Sequence, residues 1–167
     1  QDISTKQVTV NGITYTAWDT SSVTNMGNML RQTSFNQDIG NWNTSSVTDM
    51  GVMFYKATAF NKNINTKQVT VGGVTYTAWD TSSVTTMRFM FRQATSFNQD
   101  IGNWNTSSVT DMAYMFNTAT SFNQDISGWC VSGISSQPSN FSTGSSPLSD
   151  ENKPNWGIYI LQNRSAL

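Results

Sequence analysis

At 167 residues the chain suffices for one domain with one continuous core, and its charged residues make up 11% of it with a formal net charge of −1. No basic excess exists to hold a phosphate backbone, which argues against nucleic acid, and no apolar run reaches membrane-spanning length, which argues against membrane insertion. The chain has no histidine and a single cysteine, Cys130, so the commonest acid–base side chain and an internal disulfide are both missing.

Residues 1–18 read QDISTKQVTVNGITYTAW. The chain opens mid-repeat at QDI, which predicts upstream sequence. Asn11-Gly12 between QVTV and ITYT is a strong short-range hairpin signal. Pairing Val10 with Ile13 and Val8 with Tyr15 puts these four on one face. Thr9 and Thr14 share the other.

From Trp18 the same words recur, at Trp42, Trp79 and Trp104, and Trp129 follows Trp104 by 25 residues. A fixed period of this size marks a stacked repeat, in which no unit buries its apolar face alone. Counting from each Trp as zero, plus five is Val23, Val47, Val84 and Val109. Plus eight is Met26, Met50, Met87 and Met112, and plus eleven is Met29, Met53, Met90 and Met115. Plus twelve is Leu30, Phe54, Phe91 and Phe116, and Ala57, Ala94 and Ala119 stand at plus fifteen. The last four positions are spaced as i, i+3, i+4 and i+7, which predicts one face of a short α-helix stabilised by stacking. Thr24, Thr48, Thr85 and Thr110 suit its N-cap, and Asn25, Asp49 and Asp111 suit its positive end. TSSVT before it reads as a short strand with Val inward, and FNQDI returns the chain to a turn. Asn36, Asn61, Asn98 and Asn123 read as a ladder between adjacent turns.

The hairpin module returns at INTKQVTVGGVTYTAW, with Gly72-Gly73 at the turn. The two hairpins are expected to project from one corner, resting on each other or on the flank of the stack. After Trp129 the pattern decays. Ile134 holds the plus-five slot and Phe141 the plus-twelve slot, with Pro138 and a run of Ser between them. This predicts a degenerate capping coil, closed by Trp156. Cys130, next to a repeat Trp, reads as a small buried residue. The chain is thus read as one repeat domain over 1–167. Hairpins occupy 1–17 and 65–78, four repeats 18–128 and a capping region 129–167. The class is α/β, a leucine-rich-repeat-like solenoid of strand–helix coils of about 25 residues.

Nothing here carries enzyme chemistry: no phosphate loop, no nucleophile elbow, no cofactor and no metal site. Acidic residues such as Asp38, Asp100 and Asp125 stand at repeat positions, as structural rungs do. Two surfaces remain as candidate sites. With Val inward, the strand face presents Thr20, Ser22, Thr44, Ser46, Thr81, Ser83, Thr106 and Ser108 as an outward array, continued by the Thr column at plus six. Four coils give it roughly 200 Å², against about 800 Å² per partner in a standard interface. Such an array also resembles an ice-binding surface. The outer face opposite the Met stripe carries Asn28, Val52, Phe89 and Tyr114 at plus ten, with Arg31, Tyr55, Arg88 and Arg92 nearby. The candidate partner-binding residues are Val52, Tyr55, Arg88, Phe89, Arg92 and Tyr114, because aromatic residues and Arg carry binding energy at interfaces.

The words W-N-T-S-S-V-T-D-M, M-F-x-x-A-x-x-F-N-Q-D-I and the closing N-W-G, over roughly residues 18–157, resemble the BspA-family leucine-rich-repeat surface proteins, also called DUF285. The resemblance implies a right-handed α/β solenoid on secreted or surface-anchored proteins of bacteria or microbial eukaryotes. Better-studied relatives are described as adhesins for host or matrix proteins or other cells. The two hairpins depart from the plain repeat. The expectation is therefore a non-enzymatic extracellular or cell-surface module for adhesion or ligand recognition, its partner a protein or glycan on another cell or matrix. An ice-binding surface and a passive spacer in a longer surface protein are the alternatives.

Overall fold

The computed structural model describes residues 4–10 and 13–157. The Asn11-Gly12 turn, the side-chain faces of the first hairpin and the tail after Gly157 lie outside the described residues. Strands β1 (Ser4–Val10) and β2 (Ile13–Asp19) form one antiparallel hairpin, with Val10 paired to Ile13 and Val8 to Tyr15. Strands β3 (Lys67–Val71) and β4 (Val74–Ala78) form the second. Gly72 and Gly73 both have positive φ (59° and 79°), as a two-residue turn matching the strand twist requires. β1 lies beside β3. The second hairpin is tied down by the Tyr76 hydroxyl, which donates to the Asn41 carbonyl, while Val74 stays exposed.

The expected strand–helix solenoid is overturned. Among the described residues there is no α-helix, and the only helical piece is a 3-10 turn at Asp150–Asn152. The stretch read as a helix is a run of β-turns. Within a coil, the plus-eleven amide bonds the plus-eight carbonyl, as in Met53 N–H to Met50 O (3.3 Å) and Met90 N–H to Met87 O (3.1 Å). The plus-thirteen amide bonds plus ten, and plus fifteen bonds plus twelve, as in Ala94 N–H to Phe91 O (3.0 Å). The alternate amides leave the coil altogether. Met50, Val52, Phe54 and Lys56 donate to the carbonyls of Thr86, Arg88, Met90 and Arg92 in the next coil at 2.8–3.1 Å. Met87, Phe89, Phe91 and Gln93 do the same to Asp111, Ala113, Met115 and Asn117.

Both arrangements put plus eight, eleven, twelve and fifteen on one side, so the apolar spacing does not distinguish them. They differ in where every second N–H goes. A helix would satisfy these amides within a segment too short to be stable alone; the turn-built coil spends them on its neighbour. The backbone must then visit the left-handed region twice per coil. Asn28, Val52, Phe89 and Tyr114 at plus ten have φ of 63°, 64°, 58° and 60°. Gln32, Lys56, Gln93 and Thr118 follow at 54–59°.

Asn28 suits this conformation, whereas a β-branched residue there is strained. Val52→Asn is therefore expected to raise the unfolding free energy by about 1 kcal/mol, since αL costs an ordinary L-residue roughly 1–2. Urea denaturation checks this. Were the segment helical, the same change would be neutral or destabilising.

The predicted TSSVT strand is likewise a turn. The amide of each plus-five Val donates to the carbonyl of the plus-two Thr, at 3.0 Å for Val23 to Thr20 and 2.9 Å for Val47 to Thr44. Just beyond it, the strand-like pairing between coils is a set of single parallel bridges, through Asn25, Asp49, Thr86 and Asp111. Those residues do not serve helix ends. Asn25, Asp49 and Asp111 each accept the N–H two residues on, from Gly27, Gly51 and Ala113 at 2.7–2.9 Å. Such Asx turns bend the chain locally. The same device makes other corners, as at Asp80–Ser82, Asp100–Gly102 and Asp125–Ser127. At Asp125 the Ser127 hydroxyl and then its N–H hold the carboxyl below its ordinary pKa.

Inside, like side chains lie over like. Trp42, Trp79, Trp104 and Trp129 stack at 6.1–6.4 Å with planes within 9°. The indole N–H groups of Trp79, Trp104 and Trp129 reach carbonyls near the preceding coil's start, those of Ile39, Ile64 and Ile101 at 2.9–3.1 Å. This satisfies the polar end of a buried ring. Phe54, Phe91 and Phe116 form a second column, and Phe60, Phe97 and Phe122 a third. On the rim, the Oδ1 atoms of Asn36, Asn61 and Asn98 each accept the backbone N–H of the next Asn at 3.0 Å. The same hydrogen-bond pattern runs on into the cap. Tyr114, Phe116 and Thr118 donate to Ser139, Phe141 and Thr143. Phe141 is fully buried, with Trp156 against its edge at 5.0 Å. Cys130 is exposed, not buried as its place beside Trp129 suggests. The inward-facing residue is instead Val131.

Candidate functional site

The two candidate surfaces fare differently. In the Thr/Ser array the turn at plus two to plus five breaks strand parity, so Thr20, Thr44, Thr81 and Thr106 point inward and are at most 3% exposed. Their expected outward position is corrected. The hydroxyls of Thr44, Thr81 and Thr106 donate to the carbonyls of Asp80, Asn105 and Cys130 in the following coil at 2.7–2.9 Å. Ser22, Ser83 and Ser108 are exposed and Ser46 is half-buried. Two of these hydroxyls also bridge coils, Ser46 to Ser21 O and Ser108 to Ser82 O. The Thr column at plus six is exposed, but Thr48, Thr85 and Thr110 also spend their hydroxyls on the previous coil's carbonyl. With plus two turned inward, the hydroxyls left on the surface are those at plus four and plus six, most of them engaged in bonds between coils.

The outer face is a built cluster. Each coil contributes plus ten and plus thirteen, which the turn between them holds side by side. Along plus thirteen the order is Arg31, Tyr55, Arg92, Asn117. The Arg31 and Arg92 guanidinium carbons lie 5.4 and 5.6 Å from the Tyr55 ring centre. Since these arginines come from the coils on either side of Tyr55, they flank its ring. Lys56 Nζ lies at 5.4 Å from the same ring. Along plus ten, Phe89 and Tyr114 stack at 4.9 Å. Arg92 reaches both, at 5.4 and 5.5 Å, and Arg88 lies 4.6 Å from Phe89. Such cation–π contacts are worth about 0.5–1 kcal/mol each at exposed sites.

Three hydrogen bonds orient the arginines: Arg92 Nε donates to Asn117 Oδ1 at 3.1 Å, Arg88 Nη1 to Asp111 Oδ2 at 3.4 Å, and Arg31 Nη1 to Asn28 Oδ1 at 3.5 Å. An open depression of about 260 Å³ lies between Asn28, Arg31, Val52, Tyr55, Phe89 and Arg92. The structure thus brings Val52, Tyr55, Arg88, Phe89, Arg92 and Tyr114 together on one face. Val52, Tyr55, Phe89, Arg92 and Tyr114 are half-buried, and Arg88 is exposed.

Over residues 4–75 and again over 66–158, the chain matches the family described as Mycoplasma protein of unknown function, DUF285. The chain belongs to that family. Each DUF285 match takes in a hairpin at its start and the coils that follow it. No curated protein and no solved structure matches the chain. Lys56 and Asn117 are members of the DUF285 chain's cluster that its sequence does not single out, and Asp111, expected at a helix end, instead pairs with Arg88. Asn117 stands at plus thirteen of its coil and so continues the line of Arg31, Tyr55 and Arg92.

Proposed function

We propose that this member of DUF285 is a non-enzymatic extracellular or cell-surface module for adhesion or ligand recognition. Within that family the resemblance to BspA-type surface proteins supports the same role. The observation that carries the reading is the convergence of Arg31, Arg88, Arg92, Tyr55, Phe89 and Tyr114 on one face. These positions differ from coil to coil, while the buried columns beneath them hardly change. Variation on a fixed frame suits recognition, and Arg with aromatic residues are the side chains that concentrate binding energy. The polar, weakly charged surface and single cysteine suit an exported protein.

The test is a protein and glycan array probed with the wild-type chain and with Phe89→Ala/Tyr114→Ala. Both rings are half-buried and belong to no buried column, so the variant is expected to keep its circular dichroism and cooperative melt. It is expected to lose captured partners by about tenfold or more, as interface aromatics do. An unfolded variant would make the rings structural. Unchanged capture would place recognition elsewhere, and a blank array for the wild type would favour a passive spacer.

A further inference from the structure

The outer face is an incomplete electrostatic arrangement, and its missing part has a definite chemistry. Three cations, Arg31, Lys56 and Arg92, converge on the single ring of Tyr55. Among the described residues none of the three has a carboxylate within ion-pair distance. The two described pairs are Arg88–Asp111 and Lys153–Asp150. In a chain with a net charge of −1 this local excess is not a reflection of composition. A guanidinium lying over an aromatic face keeps its in-plane N–H edge free, and that edge matches a carboxylate two bonds at a time. Arg92 is further fixed through Nε by Asn117 and Arg31 through Nη1 by Asn28, so one side of each fork is held by a neutral amide and neither is neutralised.

The ring faces are already used. Tyr55 is flanked by two guanidinium groups, and Phe89 and Tyr114 lie against each other. A sugar ring needs a free aromatic face to stack on. What the depression offers instead is cationic edges beside the apolar surface of Val52 and Phe89. That combination suits a polypeptide whose acidic residues are interspersed with aliphatic ones. The two guanidinium carbons are at most about 11 Å apart, being 5.4 and 5.6 Å from one ring centre. Residues two positions apart in an extended chain share one face and lie about 7 Å apart, within that limit. Six residues line the depression, against roughly 20–30 on each side of a standard interface, so a short segment fits it better than a domain surface.

We infer that the Arg31–Tyr55–Arg92 column, with Val52 and Phe89 beside it, recognises a short extended acidic segment of a partner protein. The two guanidinium edges take its carboxylates, and Val52 and Phe89 take the aliphatic side chains next to them on the same face. Recognition of acidic motifs by clustered arginines is an established mode of peptide binding. This inference rests on the outer face being the recognition surface.

The experiment titrates the whole chain with a short blocked peptide carrying two glutamates two positions apart, with leucines at the neighbouring positions of the same face. Its controls are the same peptide with glutamines and a polyuronate such as alginate. The acidic peptide is expected to bind, with affinity falling as salt is raised. The glutamine peptide is expected to bind about tenfold weaker or worse. Arg31→Gln/Arg92→Gln is expected to lose about tenfold or more, with its melt unchanged. Arg31→Lys/Arg92→Lys should recover only part, because an ammonium supplies a point charge and no fork. Equal binding of both peptides, or binding indifferent to the arginine pair, overturns the inference. So does binding of alginate with no binding of the acidic peptide. If Phe89→Ala/Tyr114→Ala abolishes array capture while the acidic peptide fails to bind, the recognition face stands and the acidic occupant falls.

Discussion

Phe91→Ala is expected to lower the unfolding free energy by about 3–5 kcal/mol, the range for deleting a large buried ring. Phe91 is fully buried, and four rings surround it. Phe97 lies at 4.1 Å, Phe54 at 5.3 Å, Phe116 at 5.6 Å and Trp104 at 6.2 Å. The cost of such a deletion depends on whether neighbours can close the void. Here they cannot do so freely, because cross-coil bonds pin the backbone on both sides. Phe91 N–H donates to Met115 O at 3.0 Å, and Phe54 N–H to Met90 O at 2.9 Å. The same column ends at Leu30, which is smaller and 8% exposed. Leu30→Ala should therefore cost less, nearer about 2 kcal/mol, the lower end for that exchange. Urea melts of the two variants provide the comparison. Total stabilities run to about 5–15 kcal/mol, so the Phe91 variant is expected to sit close to its unfolding limit at moderate temperature. A loss below about 1 kcal/mol would mean that the stacked rings do not define the core.

The inventory of that core is legible from residue spacing alone. The Val at plus five, the Met at plus eight and the aromatic at plus twelve all lie inside. Their conformation is not legible in the same way, because apolar residues at i, i+3, i+4 and i+7 suit a helix face and a run of turns equally. The deciding signals were polar and local. Asp or Asn followed two residues later by Ser, Gly or Ala marks corner after corner, from Asp19–Ser21 and Asn43–Ser45 to Asp111–Ala113. A helix tolerates such residues at its caps and disfavours them at every corner. Val52 and Phe89 at left-handed positions ran against the turn reading, since neither residue favours that conformation. Their strain is tolerated because each also donates its N–H to the next coil, at 2.8 and 3.0 Å. Tertiary bonding outweighs local preference there.

The outer cluster was accessible for a simpler reason. Residues at one repeat position must meet when coils stack, whatever the local backbone, so Arg31, Tyr55 and Arg92 converge under either geometry. Strand parity offered no such protection. It depends on the backbone being extended, and the turn between plus two and plus five reverses it for Thr20, Thr44, Thr81 and Thr106.

That reversal yields the second large effect. Thr81→Val is expected to destabilise by about 1–3 kcal/mol, the cost of leaving a buried polar group without its partner. Thr81 is 1% exposed, and its hydroxyl donates to Asn105 O at 2.9 Å. Valine preserves the shape and removes only the donor, so the carbonyl of Asn105 loses a bond in a site where water cannot easily replace it. Thr85 is the matched comparison, four residues on and exposed. Its hydroxyl reaches Thr48 O at 3.1 Å, but the Thr85 N–H already satisfies that carbonyl at 2.9 Å. Thr85→Val should stay within about 0.5 kcal/mol, as exposed substitutions usually do. An outward array at plus two would give two small, equal effects in chemical denaturation. A buried hydroxyl ladder gives one large and one small, and it leaves plus two unavailable to any ligand that would lie across the column.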